Sequence, residues 1–280
     1  MEESKKVRLD AYVAQKYPNY SRALIQKLIK NGHVKVSGTV QVKPSFSVVG
    51  TEKVDLDEAN LAEPEQNLNL EVIYEDENCV VVNKPLGVLV HSKGAYNPEA
   101  TVASWLKDRK GFDFPADNDR GGIVHRLDRA TSGVMICAKN KTSLGFLQKQ
   151  FQTRKAKKTY VAVVSGVPKQ AHAMIDLPID RNPKKPQTFR VNNNGKSAQT
   201  EYKVIESSEN LSLLELKPIT GRTHQLRVHL NHLNNPIVGD VMYGGASNDR
   251  MLLHAKTLEI TIPGGERKTF DTKLPPEFVL

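Results

Sequence analysis

Cysteine is nearly absent from this chain. Cys79 and Cys137 are the only two in 280 residues, each inside an apolar run, NCVVVN and VMICAK, which argues against a disulfide framework or a thiolate zinc site and leaves both as small core residues. No stretch approaches the roughly 18 uncharged apolar residues that a membrane span needs, and the N-terminus MEESKKVRLD lacks the apolar core of a secretory signal. A membrane partner is therefore not expected, and the cytoplasm is the expected compartment. There is no P-loop, no GxGxxG and no zinc-ligand spacing, so neither a nucleotide cofactor nor a metal is expected. Internal repeats and low-complexity tracts are missing as well.

What is present is ordinary for a folded protein: 39% hydrophobic and 25% charged residues, enough chain for one large domain and a small one. The formal charge is +9, and its distribution says more than its size. Residues 1–50 carry nine Lys/Arg against three acids, residues 51–77 one Lys against ten acids, and the remainder a net +12. Two basic blocks flank an acidic connector, as expected if the blocks touch a polyanion and the connector does not.

Residues 1–56 read as an independent α/β unit. A helical pattern runs from Leu9 to Tyr17 and a second, with Ser21 as N-cap, reaches Lys30 before Gly32 stops it. HVKV, a turn at Ser37-Gly38 and VVGTEKVDL give short extended segments. Residues 57–70 form an acidic linker without a period. From Glu71 the pattern changes to many short β-rich runs: EVIYEDENCVVVNKP, GIVHRL, GVMICAK, KTYVAVVSG, AQTEYKVIES, LSLLELKPI and LLHAKTLEITIP. Helices are predicted over Lys141–Thr153 and Thr223–Leu233. The fold class is α+β: a mainly antiparallel sheet with flanking helices over residues 71–280.

The densest polar cluster lies in RGGIVHRLDRATSGVMICAK, residues 120–139, where His125, Arg126, Asp128, Arg129, Thr131 and Ser132 fall between two apolar runs. On chemistry alone this is a polar turn before a strand. Its core HRLDRATSG, however, resembles the signature of the RluA-type pseudouridine synthases. The resemblance continues through NKPLGVLVHS (83–92), KKTYVAVVSG (157–166) and GRTHQLRVHLNHLNNPIVGDVMYG (221–244), in the family's order. Departures are few: Gly121 stands where the family commonly has Pro, Ser92 replaces a Pro, and Asn234-Asn235 replaces a Gly-His pair. The N-terminal unit resembles the S-four-like RNA-binding module through Arg8-Leu9-Asp10, Ser21-Arg22, Ile29, Gly32, Val34, Val36 and Gly38.

The resemblance implies an isomerase that turns uridine into pseudouridine in structured RNA, with large-subunit ribosomal RNA the first expectation and transfer RNA the second. DNA is not expected as a partner, and nothing demands more than a monomer. Asp128 is implied as the essential carboxylate, acting as nucleophile or as base. Arg227 is implied as its ion-pair partner and Tyr160, in the K-x-Y element, as the ring against the flipped base. Arg126 is expected to fill the place of the extruded uridine. Phosphate contacts are expected from Arg22, Lys27, Lys30, Lys35 and Lys43 in the first block and from Lys157 and Lys158, with Arg154, Lys155, Arg181, Lys184, Lys185 and Arg190, in the second. His125 is read as structural. Two other functions compete: a non-catalytic RNA-binding factor, for which Asp128 would be dispensable, and a glycosidase, for which no second carboxylate is evident near the motif.

Overall fold

The computed structural model describes residues 6–58, 68–92, 99–115 and 120–280, so most of the acidic segment read as a linker lies outside the described residues. The chain divides into two compact units, Met1–Leu68 with His91–Thr101, and Asn69–Val90 with Val102–Leu280.

In the first unit, β1 (Val7–Arg8) leads into α1 (Leu9–Lys16), followed by α2 (Arg22–Lys30), β2 (Val34–Val36), β3 (Thr39–Val40), β4 (Ser47–Val48) and β5 (Val54–Leu56). Ser21 caps α2 by accepting from the Leu24 amide at 3.3 Å, as its position before the apolar period implies. The turn joining β2 and β3 has Ser37 at φ 49 and Gly38 at φ 85, both in the left-handed region that a two-residue hairpin turn requires. Leu9, Val13, Ile25, Leu28, Ile29 and Val34 form its core. Asp10 is buried within it, yet accepts from Arg8, Arg22 and Gln26. Those donors, Arg8 foremost, hold its carboxyl well below the usual range.

The second unit is built on a nine-stranded sheet. Its strands are β6 (Glu71–Glu75), β7 (Cys79–Lys84), β8 (Ser132–Ala138), β9 (Lys157–Ser165) and β10 (His172–Asp176). A separate hairpin, β11 (Ile179–Arg181) and β12 (Phe189–Val191), precedes β13 (Gln199–Ser207), β14 (Leu211–Pro218), β15 (Leu253–Thr261) and β16 (Arg267–Asp271). The order is β10-β13-β14-β9-β15-β8-β7-β6, with β16 also on β15. Every pairing is antiparallel except β8 with β15. That parallel contact brings the backbones close at Gly133, where φ is 116 and a Cβ would stand 2.2 Å from the Ala255 carbonyl oxygen. Only glycine fits there. The helices are α3 (Val102–Lys107), α4 (Lys141–Gln152) and α5 (Gln225–His232).

Three expectations need correction. GIVHRL is not a strand: Gly122 takes φ 78, and residues 120–131 run irregularly along β8. Gly122 O receives the Ala138 amide at 2.8 Å, and His125 Nε2 receives that of Ile136 at 3.1 Å. A side chain thus satisfies a strand-edge donor that a pairing strand would have taken. The helix predicted from Thr223 starts at Gln225, because His224 adopts a left-handed conformation, φ 57, at its N-cap. α3 was not foreseen, its six residues being too short for a period to register. Asn234, standing where the family has Gly, takes φ 62, a conformation asparagine tolerates.

Candidate active site

A cavity of about 480 Å³ opens in the second unit, lined by Arg126, Asp128, Arg154, Lys158, Tyr160, Ile219, His224 and Arg227 among others. Asp128 sits on the irregular segment four residues before β8, and three anchors fix that segment. Thr131 donates its amide to the Asp128 carbonyl at 3.0 Å, closing a turn, and Gly87 donates to Arg129 O at 2.9 Å. Lys84, fully buried, points its ammonium at the carbonyls of Pro85, Val88 and Arg129. Burial pushes its pKa down to about 8, with the Asp128 charge opposing.

The Asp128 side chain is 22% exposed, and Arg227 Nη1 lies 3.5 Å from its Oδ2. The guanidinium itself is pinned from the other side. Nε and Nη2 donate to the two oxygens of buried Asp240, each at 2.7 Å, in the planar two-bond geometry that arginine alone offers. The Tyr243 ring packs 4.9 Å from the guanidinium carbon. Arg227 is therefore shared between a tight pair with Asp240 and a looser one with Asp128, at the first turn of α5. His224 Nε2 stands 3.9 Å from the same Oδ2, and its Nδ1 is 2.8 Å from the Tyr243 hydroxyl.

Tyr160 lies on β9, opposite Leu216 of β14 and Ala255 of β15, with its ring on the cavity wall. Burial, and then the Asp128 charge, raise its hydroxyl above the ordinary tyrosine value. Lys158 also lines the cavity, its pKa lowered by burial. His125 stacks on Phe151 at 4.5 Å, and burial followed by the nearby Lys158 lowers its pKa to about 3, so it remains neutral and serves as an acceptor for the β8 edge.

Comparison with known proteins decides the family. A profile described as RNA pseudouridylate synthase matches residues 78–232, and one described as S4 domain matches residues 7–54. This chain belongs to the RluA-type pseudouridine synthases. The synthase is 41% identical over 254 residues to an uncharacterized RNA pseudouridine synthase of Aquifex aeolicus, covering 88% of this chain and 79% of that one. It is 37% identical over 290 residues to ribosomal large subunit pseudouridine synthase D of Borreliella burgdorferi, covering 98% and 88%. Among solved structures, human RNA pseudouridylate synthase domain containing 1 superimposes with a TM-score of 0.61 at 31% identity, over 76% of this chain and 86% of that one. The synthase is thus an isomerase acting on RNA, built on a mainly antiparallel sheet and preceded by an RNA-binding S4 domain.

The structure gathers Asp128, Arg227, Tyr160, Arg126, Lys158 and Arg154 around one cavity of the synthase. Lys157 is not among them. Neighbouring residues on a strand face opposite ways, and Lys157 points instead towards Glu259, 4.0 Å away. In the S4 domain, Lys27, Lys30, Lys35 and Lys43 are exposed, and Arg22 is half exposed with one nitrogen on Asp10 at 3.1 Å. The tip between β11 and β12 exposes Arg181, Lys184 and Lys185.

Sequence reasoning passed over Asp240 and Tyr243, and left His224, read as a neighbour of Arg227 able to touch substrate, outside the site. The acid of PIVGD was the available signal, since a buried guanidinium needs a buried carboxylate. Gln225, adjacent to His224, is occupied structurally: its Oε1 accepts from Thr220 Oγ1 and the Arg222 amide. Among the described residues there is no cluster of His, Cys, Asp and Glu fit for a metal ion and no helix long and apolar enough to cross a membrane.

Proposed function

We propose that this synthase converts specific uridines of large-subunit ribosomal RNA to pseudouridine in the cytoplasm, acting as a monomer with Asp128 as its catalytic carboxylate. Transfer RNA is the second substrate class. The observation that carries the reading is Asp128 Oδ2 held 3.5 Å from Arg227 in a cavity whose wall includes Tyr160.

The reaction breaks the bond from the ribose anomeric carbon to uracil N1, rotates the base, and joins the anomeric carbon to C5. N1 gains a proton and C5 loses one, so the product is an isomer. Asp128 acts on the sugar, as nucleophile at the anomeric carbon or as base at the neighbouring carbon. Either role needs it ionised, and the guanidinium supplies the countercharge that a half-buried carboxylate requires. The cavity keeps the detached base beside the sugar while it turns. Tyr160 is suited to stacking on that base. Its raised hydroxyl stays protonated at neutral pH, so direct removal of the C5 proton would require it to surrender its own proton at the same time. Arg126, at the cavity rim, fills the position vacated by the flipped uridine, recovering part of the few kcal/mol that extrusion costs. Lys27, Lys30, Lys35 and Lys43 grip phosphates of the RNA.

The test is incubation of protein and Asp128→Asn with ribosomal and transfer RNA, followed by mapping of pseudouridine and assay of free uracil. Asp128-dependent pseudouridine in the ribosomal RNA is expected. Free uracil would mark a glycosidase, and unmodified but tightly bound RNA a binding factor.

A further inference from the structure

The two oxygens of Asp128 are treated differently by their surroundings. The nearest approaches of Arg227 Nη1, at 3.5 Å, and His224 Nε2, at 3.9 Å, are both to Oδ2, and the Arg227 hydrogen bond falls on that same oxygen. One oxygen is held and the other is left to approach the sugar.

His224 is itself held by a relay. The Phe189 amide, on β12, donates to the Tyr243 hydroxyl oxygen at 2.8 Å, and that hydroxyl lies 2.8 Å from His224 Nδ1. The phenol has one proton to give, and Nδ1 is the acceptor within reach. With Nδ1 accepting, the neutral ring carries its hydrogen on Nε2, aimed at Asp128. The rings of Phe189 and Tyr243 stand edge-on to the imidazole, each with centroids 5.6 Å away, which fixes its plane. Burial opposes protonation most strongly. Asp128 and Asp240 favour it, Arg227 and Arg126 oppose it, and the net shift is downward.

The geometry points to His224 as a positioning residue for the reaction: Tyr243 sets its tautomer, and its Nε2–H steadies Oδ2 so that Oδ1 is the oxygen delivered to the ribose. The inference rests on Asp128 being the catalytic carboxylate. The 3.9 Å separation exceeds a hydrogen bond, and closes when substrate fills the cavity, as such contacts commonly tighten in the substrate complex.

Single-turnover rates from pH 5 to 8.5 on a large-subunit ribosomal RNA fragment test this, with RNA affinity and thermal unfolding measured for each variant. His224→Ala is expected to lower the rate about 10- to 100-fold, the scale of one well-placed donor, with affinity changed by less than about threefold. His224→Gln, whose side-chain amide can present an N–H near the same point, recovers most of that loss. Both variants share the left-handed backbone at this position, so their comparison cancels its strain. Tyr243→Phe keeps the ring against Arg227 and removes the hydroxyl. Its rate falls at the alkaline end, where the neutral ring is free to carry its hydrogen on Nδ1, and recovers towards acid pH, where a protonated ring carries hydrogen on both nitrogens. Equal rates for Ala and Gln, or a Tyr243→Phe profile that superimposes on that of the parent protein, overturn the inference. Asp128→Asn run alongside separates the two levels: activity retained there defeats the catalytic reading itself, whereas its loss with indifferent His224 variants defeats only the positioning role.

Discussion

Replacing Asp240 with alanine should damage both the stability and the activity of this synthase, for a reason that can be sized. The Asp240 side chain is 2% exposed and that of Arg227 7%, and two 2.7 Å bonds join them. Alanine leaves the guanidinium buried with the Tyr243 ring and the longer contact to Asp128. Removing one partner of a buried pair costs roughly 3–5 kcal/mol, because the remaining charge stays desolvated without compensation. That is a large share of a total stability of roughly 5–15 kcal/mol. At roughly 2–4 °C per kcal/mol for a domain of this size, Tm falls by roughly 6–20 °C. Calorimetry of the parent protein, Asp240→Ala, and the apolar pair Asp240→Leu with Arg227→Met measures it. The pair should recover much of the lost stability, since a packed apolar replacement removes both charges, but no activity, since Asp128 has lost its countercharge. A Tm for Asp240→Ala within about 2 °C of the parent, well under the loss estimated from the buried pair, would refute the reasoning.

Other outcomes follow from the same geometry. Gly133→Ala drives a Cβ to 2.2 Å from the Ala255 carbonyl oxygen at φ 116, and should cost roughly 2–5 kcal/mol in thermal unfolding. Burial holds the pKa of His125 at about 3 and of His254 at about 4 in the folded protein, against about 6.5 unfolded. The unfolded chain therefore binds more protons at acid pH. The contribution of these two groups is intact above pH 6.5 and lost as pH falls towards those folded values, each removing up to about 1.4 kcal/mol per pH unit. Urea titrations from pH 8 to 4 should show that decline, and a flat profile would contradict it. Tyr160→Phe preserves the stacking face and should keep RNA KM within about threefold, whereas Tyr160→Ala should raise it roughly 5- to 150-fold, the worth of one stacked base.

The α+β class and most strands were legible in the sequence because their periods are local: β9, β13 and β14 alternate or run apolar, and Ser21 and Gly32 punctuate α2. Residues 120–131 were not, because GIVHRL has the composition of a strand while its conformation depends on Gly122 and on what β8 leaves unpaired. The imidazole that takes the Ile136 amide is a tertiary event, invisible to any window. The site divides in the same way. Asp128, Tyr160 and Arg227 were named by motif resemblance, since isolated chemistry allowed a polar turn, a core ring and a surface arginine. Asp240 and Tyr243 stand 13 and 16 residues beyond Arg227, and their roles emerge only when the turn at 241–243 folds back on the start of α5. Lys157 and Lys158 look alike in a basic run, and strand alternation separates them.

The central claim, that the Asp128 carboxylate attacks or deprotonates the sugar, is tested most directly by one rate. Under single-turnover conditions with saturating protein, tritium release from C5-labelled uridine in a large-subunit ribosomal RNA fragment is followed for the parent protein and Asp128→Asn, with the dissociation constant measured in parallel. The expected result is a rate lower by at least about 10³-fold with affinity nearly unchanged. A rate within about tenfold of the parent, too little for loss of the reacting group, would contradict the account.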